Sequence, residues 1–405
     1  MRAGTVLLGA FAAAVISGSG RAAAQPIPEH RDPPMMTLGP VELRPRLLLT
    51  NVGVDTNVFN EFENPKRDFT TTAVPDLELA LNPGRMRFTL LSGVELVYFR
   101  EYETERSVNR SVTGRADVDL NLLRPFISFT AAQTTARSGN EVDVRATHYP
   151  RDLAGGARIR LASRTSVTLS GRRTSDDYDS GETFRGVELA RTLNSTATAY
   201  EASVGIELTP LTTASVVFGV ERTRFDRAPL RDADSVRVVP TITFSPLGLL
   251  TGTASIGYER FEGRSALLPT YTGLTAAGSL GIVFVDRFRV EGTFTRDVKY
   301  SYEETLPYYV QTAGRGTLTT LVAGGLDVRV TGGRESLDYR SFAGAESPGT
   351  DRVRVYGGGV GYRFNERLQL VLTAEFIERT SARDRTRGYN SDRVFGTLNW
   401  GATTR

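Results

Sequence analysis

Apolar and polar residues alternate with a period of two over most of this chain, and the stretch from Asn194 to Phe225 shows the pattern most clearly. Thr196, Thr198, Tyr200, Ala202, Val204, Ile206 and Leu208 fall on one face, while Ser195, Ala197, Ala199, Glu201, Ser203, Gly205 and Glu207 fall on the other. A strand follows from that spacing. Thr209-Pro210-Leu211-Thr212 then makes a tight turn, because proline holds φ near −65° and has no N–H to give a ladder. On the return arm Ala214, Val216, Phe218 and Val220 oppose Ser215, Gly219, Glu221 and Thr223. Each arm runs to roughly 13 residues, beyond the usual 5 to 6 of a globular strand and long enough for a tilted strand to cross a bilayer.

The hairpin recurs from about Glu42 onward. Leu43, Pro45, Leu47 and Leu49 alternate with Arg44, Arg46, Leu48 and Thr50, and this first strand ends at Gly53-Val54-Asp55-Thr56-Asn57-Val58-Phe59. Phe69 to Leu81 forms the second strand, and Asn82-Pro83-Gly84-Arg85 turns it into a third from Met86 to Tyr98. Further tight turns are expected at Leu123-Arg124-Pro125, Ala162-Ser163-Arg164, Ser245 to Gly248, Val285 to Arg287, Val322 to Gly325 and Phe364 to Arg367. Longer polar links lie between them, at Asp176 to Glu182, Asp226 to Asp234, Glu262 to Pro269, Phe342 to Asp351 and Thr380 to Gly388. Two regions fit the pattern least, Glu141 to Leu161 with Pro150 and Gly155-Gly156, and the glycine-rich Arg352 to Phe364.

Alternating short and long links fix the sides of a transmembrane barrel, whose short turns face the periplasm and whose longer loops face outward. About eight tight turns and about nine loops give an all-β, antiparallel up-and-down barrel of about eighteen strands, with sixteen as the alternative. Aromatic residues fall into two groups consistent with interfacial girdles. Tyr98, Phe99, Tyr102, Phe225, Tyr258, Phe261, Tyr300 and Tyr302 lie near the long loops, and Phe126, Phe244, Phe284, Phe288 and Phe364 near the tight turns. Val394, Leu398 and Trp400 share a face of the last strand, and Gly401 to Arg405 extends beyond it.

Composition changes the picture little. The chain has 405 residues, 40% of them hydrophobic, and a mean hydropathy of −0.22. A barrel strand offers only alternate residues to lipid, so this soluble-looking average is compatible with membrane insertion. A formal charge of +3 from 49 basic and 46 acidic residues provides no field for nucleic acid. Cysteine is absent. Residues 1–24 read as a secretory signal: Arg2 supplies the positive region, Thr5 to Ile16 the short apolar core and Ala22-Ala23-Ala24 the cleavage site. Residues 25–40 form a short proline-rich periplasmic lead-in, and 41–405 the barrel.

Candidate catalytic chemistry is sparse, and the reading is of a protein that is not an enzyme. The chain has two histidines, His30 in the lead-in and His148, which reads as a rim residue beside Tyr149-Pro150. Asp176, Asp177, Asp179 and Glu182 carry calcium-binding oxygens without the spacing of a calcium loop, so they read as a solvated acidic loop. Asp55 and Asn57 are expected to satisfy backbone groups at the end of the first strand. No cofactor, zinc or phosphate-loop motif is present in the sequence.

In the Gly53 to Phe59 strand end, in Leu208-Thr209-Pro210-Leu211-Thr212-Thr213 and in Arg224-Phe225, the chain resembles a family of outer-membrane β-barrel porins, some of them found among exopolysaccharide export and secretion genes. The resemblance covers most of the mature chain in organisation and implies a barrel far more firmly than a substrate. It carries over no catalytic residue.

The polar faces are the most informative feature. Glu95, Glu201, Glu221, Glu259, Glu291 and Glu375 share the expected inner face with Arg87, Arg115, Arg172, Arg237, Arg289 and Arg329, and with Glu207, Arg158 and Arg160. Facing lipid, each basic group at mid-bilayer would cost about 2 to 4 kcal/mol, so these residues are candidates for a wet pore lining. The expected function is passive diffusion of small hydrophilic solutes, or assistance to polysaccharide export; a structural or adhesive barrel without an open pore is the alternative. Expected partners are outer-membrane lipid, the barrel assembly machinery and components of an export system, not nucleic acid.

Overall fold

A computed structural model describes residues 34–245, 248–285, 287–342 and 349–401, so the leader and most of the lead-in lie outside the described residues. Its strands are β1 (Met36–Leu38), β2 (Val41–Asp55), β3 (Asp68–Leu81), β4 (Met86–Phe99), β5 (Ser107–Val118), β6 (Leu123–Ala136), β7 (Ala146–Arg160) and β8 (Thr165–Tyr178). A short hairpin, β9 (Thr183–Phe184) with β10 (Val187–Glu188), and a one-turn helix α1 (Leu189–Leu193) occupy the next loop. The series continues with β11 (Ser195–Thr209), β12 (Thr212–Phe225), β13 (Ala233–Phe244), β14 (Leu250–Gly263), β15 (Tyr271–Phe284) and β16 (Phe288–Tyr300). It ends with β17 (Tyr308–Ala323), β18 (Leu326–Arg340), β19 (Thr350–Asn365), β20 (Leu368–Ser381) and β21 (Tyr389–Trp400).

Each long strand pairs antiparallel with its sequence neighbours, and β21 pairs with β2 from Leu47↔Trp400 to Asp55↔Arg393. That last pairing closes an 18-strand barrel. Closure leaves one local problem. Because β21 ends opposite Leu47, residues Val41 to Leu43 of β2 would present an open edge, and β1 covers it through Met36↔Leu43 and Leu38↔Val41.

The least regular regions of the sequence are strands from Ala146 to Arg160 and from Thr350 to Asn365, with residues 141–145 left to the preceding loop. Ladder pairing between β6 and β7 lapses between Arg151 and His148, where Pro150 has no N–H to donate. The glycine-rich stretch is the continuous strand β19. One turn differs in place from the sequence expectation: Leu123-Arg124-Pro125 opens β6, and the chain reverses just before it. There Asn121 takes φ 70° and donates its N–H to Asp119 Oδ1 at 3.0 Å.

Alternation divides the barrel into two surfaces. Leu77, Phe88, Ile206, Phe218, Ile256 and Leu372 stand exposed on the outer one. The aromatic groups sort less simply than their sequence positions suggest. Near the tight turns Phe284, Phe288 and Phe364 do face outward, but Phe126 turns inward, with the Arg115 guanidinium 4.7 Å above its ring. At the long-loop end Tyr98 and Tyr258 face outward, whereas Phe99, Phe225, Phe261 and Tyr302 are buried. Tyr300 packs on Phe225 at 4.7 Å between centroids, and Tyr102 on Phe59 at 4.8 Å. These rings fill the inside of the mouth instead of forming a girdle.

Candidate functional site: the inner wall and its mouth

Twelve charged residues selected from the sequence lie on strands at positions alternating with the exposed apolar rows, and register shows which of them meet. Glu201 on β11, Gly219 on β12, Arg237 on β13 and Glu259 on β14 form one lateral row. Arg237 lies across β12 and donates to Glu201. Glycine permits this, since a Cβ at Gly219 would stand 3.0 Å from Arg237 Nε and 3.1 Å from its Cγ. Arg315 on β17 uses the same device, running beside Gly333 to reach Glu375 on β20, two strands beyond its neighbour.

Other groups pair closer to home. Arg115 binds Asp117 at 2.6 Å, Arg329 binds Asp327 at 2.6 Å, and Arg172 binds Asp152. Glu95 accepts from Asn109 Nδ2 at 2.7 Å, and Glu221 accepts from the Thr223 hydroxyl. Arg87 faces Asp117 across the β4–β5 ladder, while Arg289 and Glu291 share the inner face of β16 opposite Thr319 and Thr317. Partners absent from the sequence reading are the aspartates Asp76, Asp117, Asp152 and Asp327; Asp76 lies directly across from its arginine, Asp117 and Asp327 two residues from theirs, and Asp152 diagonally across from Arg172. Their signal was available, because they sit in phase with the arginines they neutralise.

The long loops do not stand clear of the barrel. Residues 137–145, between β6 and β7, reach across the opening: Asn140 Nδ2 donates to Glu335 on β18 at 2.7 Å, and Asp143 pairs with Arg379 on β20 at 3.4 Å. Glu141 accepts from Ser301, from the Tyr339 hydroxyl and, at 2.9 Å, from Arg387. Arg387 is 3% exposed on its side chain and also meets Glu303 at 2.7 Å and Asp351 at 3.2 Å. Burial opposes its charge, but Glu141 and the neighbouring tyrosines and Asp351 outweigh that penalty and hold its pKa above the ordinary value. Asp143 shows the reverse balance: burial pushes its carboxyl up, against the pull of Arg137 and Arg379. Arg231, buried beneath the backbone carbonyls of Thr192, Ser301 and Glu303, is lowered to about 10 by burial.

Beneath these charges the loops share a dry core of Val142, Ala146, Tyr178, Leu189, Ala190 and Tyr302. Apolar residues inside otherwise polar links, Val142, Val144, Val187, Leu189 and Leu193, were the available sign that the loops fold inward. His148 belongs to this region and not to the rim: it is buried, with Nδ1 2.7 Å from Asp176 Oδ1 and its ring stacked on Tyr178 at 5.0 Å. The acidic group beside it is split. Asp176 serves His148, Glu182 accepts the Thr147 N–H at 3.0 Å and Asp179 takes the Tyr149 hydroxyl at 3.3 Å, so the four carboxylates do not converge. Asp55 and Asn57 behave as expected, with the Asn57 N–H donating to Asp55 Oδ1 at 2.8 Å and the Asn57 side chain bridging to Glu61.

A family model described as putative beta-barrel porin 2 matches residues 34–400. No curated protein matches the chain. Among solved structures, a BenF-like porin from Pseudomonas fluorescens Pf-5 is similar at 11% identity and a TM-score of 0.50, over 88% of this chain and 98% of that one. OpdK from Pseudomonas aeruginosa, solved with vanillate, is similar at 10% identity and a TM-score of 0.49, over 88% and 98% of the respective chains.

Proposed function

The chain belongs to the putative beta-barrel porin 2 family, a family of outer-membrane porins, and from that premise we propose that it passes small hydrophilic solutes passively, with its inward loops acting as a size filter. The observation that carries this reading is the inner wall itself. Charges of both signs recur around it in rows such as Glu201, Arg237 and Glu259, many of them paired, and inward groups such as Arg158, Glu207 and Arg315 stay about half exposed, which a dry interior would not tolerate. A barrel of sixteen to eighteen strands is wide enough to hold water between its walls. Below the loops, rows of Ser, Thr, Gly and Ala such as Ser215, Thr241, Ser255 and Ala277 leave space beside the charged rows. Loops that reach across the opening favour small solutes over a polymer, so polysaccharide export is the weaker form of the proposal.

Ion selectivity tests it. Arg289→Glu moves the local charge by two units within a Debye length of about 8 Å of passing ions. The reversal potential under a salt gradient is expected to shift toward cations relative to wild type, with assembly unchanged. A conducting wild type whose reversal potential responds neither to this change nor to Arg237→Glu and Arg87→Glu would remove these side chains from the pore lining.

The packed mouth favours a second reading, a barrel closed at rest. Its loops hold buried ion pairs, Arg387 with Glu141 at 2.9 Å among them, of a kind that an open vestibule does not require. That reading predicts current only after the mouth is loosened.

A further inference from the structure

On the periplasmic half of every described strand the outward positions carry no Asp, Glu, Lys or Arg, whereas arginines occupy outward positions toward the extracellular rim. On β16–β19 these arginines meet a second feature. Gly292, Gly316 and Gly332 stand side by side on three neighbouring strands, between Leu280 and Tyr356. One row nearer the rim, about 7 Å along the strands, come Phe294, Gly314, Arg334 and Arg354, and the next row is Arg296, Thr312, Ser336 and Arg352.

Nothing within the chain requires these glycines. None has a positive φ. A Cβ at Gly332 would meet nothing within 4 Å, and at Gly292, Gly314 or Gly316 it would meet a single backbone oxygen at 3.8 to 3.9 Å, ordinary contact. Glycine inside a strand weakens it, and where the chain itself leaves room, the bare backbone suits close approach by something from outside. The arginines are equally unexplained from within. Arg334 lies directly opposite Arg354, and like charges facing each other across a ladder are destabilising. Arg354 has Glu378 at 3.3 Å, but among the described residues Arg334 and Arg352 form no ion pair.

We propose that the outward face of β16–β19 binds a phosphate-bearing, multiply acylated lipid of the outer leaflet. Acyl chains lie on the bare floor between Leu280 and Tyr356, and headgroup phosphate takes its hydrogen bonds from Arg334, Arg354 and Arg352, whose forked donors match phosphate oxygens. Charge selects this occupant over a second barrel, since an isologous contact through the same face would set the arginine rows against each other.

The experiment is native mass spectrometry of the full-length barrel in mild detergent, titrated with diphosphorylated lipid A, with the same lipid stripped of its phosphates, or with inorganic phosphate. Wild type is expected to retain the phosphorylated lipid and neither of the others. Arg334→Gln with Arg354→Gln is expected to lower retention about tenfold, the loss of charge-assisted bonds, and Gly316→Leu with Gly332→Leu to lower it similarly by filling the floor. Arg222→Gln, on β12, is expected to leave it unchanged. Heat-modifiable gel mobility confirms that each variant has assembled, and Arg334→Lys with Arg354→Lys, expected to restore part of the binding, serves if the glutamine pair does not assemble. Equal retention of the phosphate-free lipid, or unchanged retention in both the arginine and the glycine variants, would overturn the proposal. So would a wild-type dimer that the leucine pair dissociates, which would assign the face to a second copy.

Discussion

Val216→Arg is expected to cripple assembly while Ser215→Arg, one residue away, leaves it nearly intact. Val216 lies on the outer face of β12 between Val204 and Pro240, within the uncharged part of the band, and an arginine there costs about 2 to 4 kcal/mol near the bilayer midplane. Ser215 points to the inner wall between Gly205 and Thr241, where a long cation meets small neighbours and space. A shift of one residue exchanges the two faces of a strand, so the pair measures register and sidedness together. Folded yield in a detergent or bilayer refolding assay, read by the mobility difference between unboiled and boiled samples, provides the measurement. Equal damage from both changes would contradict the assigned faces.

Arg387→Ala is expected to release the mouth without unfolding the barrel. The residue joins three segments, meeting Glu141 of residues 137–145, Glu303 of residues 301–307 and Asp351 of β19. Its removal leaves buried Glu141 with only the Ser301 and Tyr339 hydroxyls, while Asp351 keeps Arg379, and breaking one partner out of a buried ion pair costs about 3 to 5 kcal/mol. That cost falls on the loops, which can relieve it by moving their carboxylates into water, whereas the ladders of the wall are untouched. Protease sensitivity within residues 137–145 should rise and mean single-channel conductance should increase. An Arg387→Ala barrel with unchanged conductance and unchanged proteolysis would show that this network does not hold the mouth.

The wall was legible in the sequence because a strand with one face to lipid and one to polar groups must alternate, and Thr196 to Leu208 against Ser195 to Glu207 leaves little choice of face. Turn positions were legible where proline or glycine forced them, as at Thr209 to Thr212, and slipped where the turn was made by Asp119 and Asn121 next to a more conspicuous Pro125. Mouth packing was not legible. Val142, Leu189 and Tyr302 lie outside the long alternating strands, and only their meeting in space shows that they form a core. The same cause explains the aromatics: Phe225, Phe261 and Tyr300 have the strand-end positions of a girdle, but alternation and a buried loop core draw them inside. Partners for the inner charges were half visible, since register alone decides that Arg237 reaches Glu201 over Gly219.

Single-channel recording of the wild-type barrel in a planar bilayer tests the central claim, that water and small solutes pass between the charged walls. Discrete, roughly ohmic conductance steps are predicted in protein that also shows heat-modifiable mobility, and Arg289→Glu is predicted to turn those steps more cation-selective. Correctly assembled wild type giving no steps, together with Arg387→Ala giving none, would contradict the account and leave a barrel that is closed throughout.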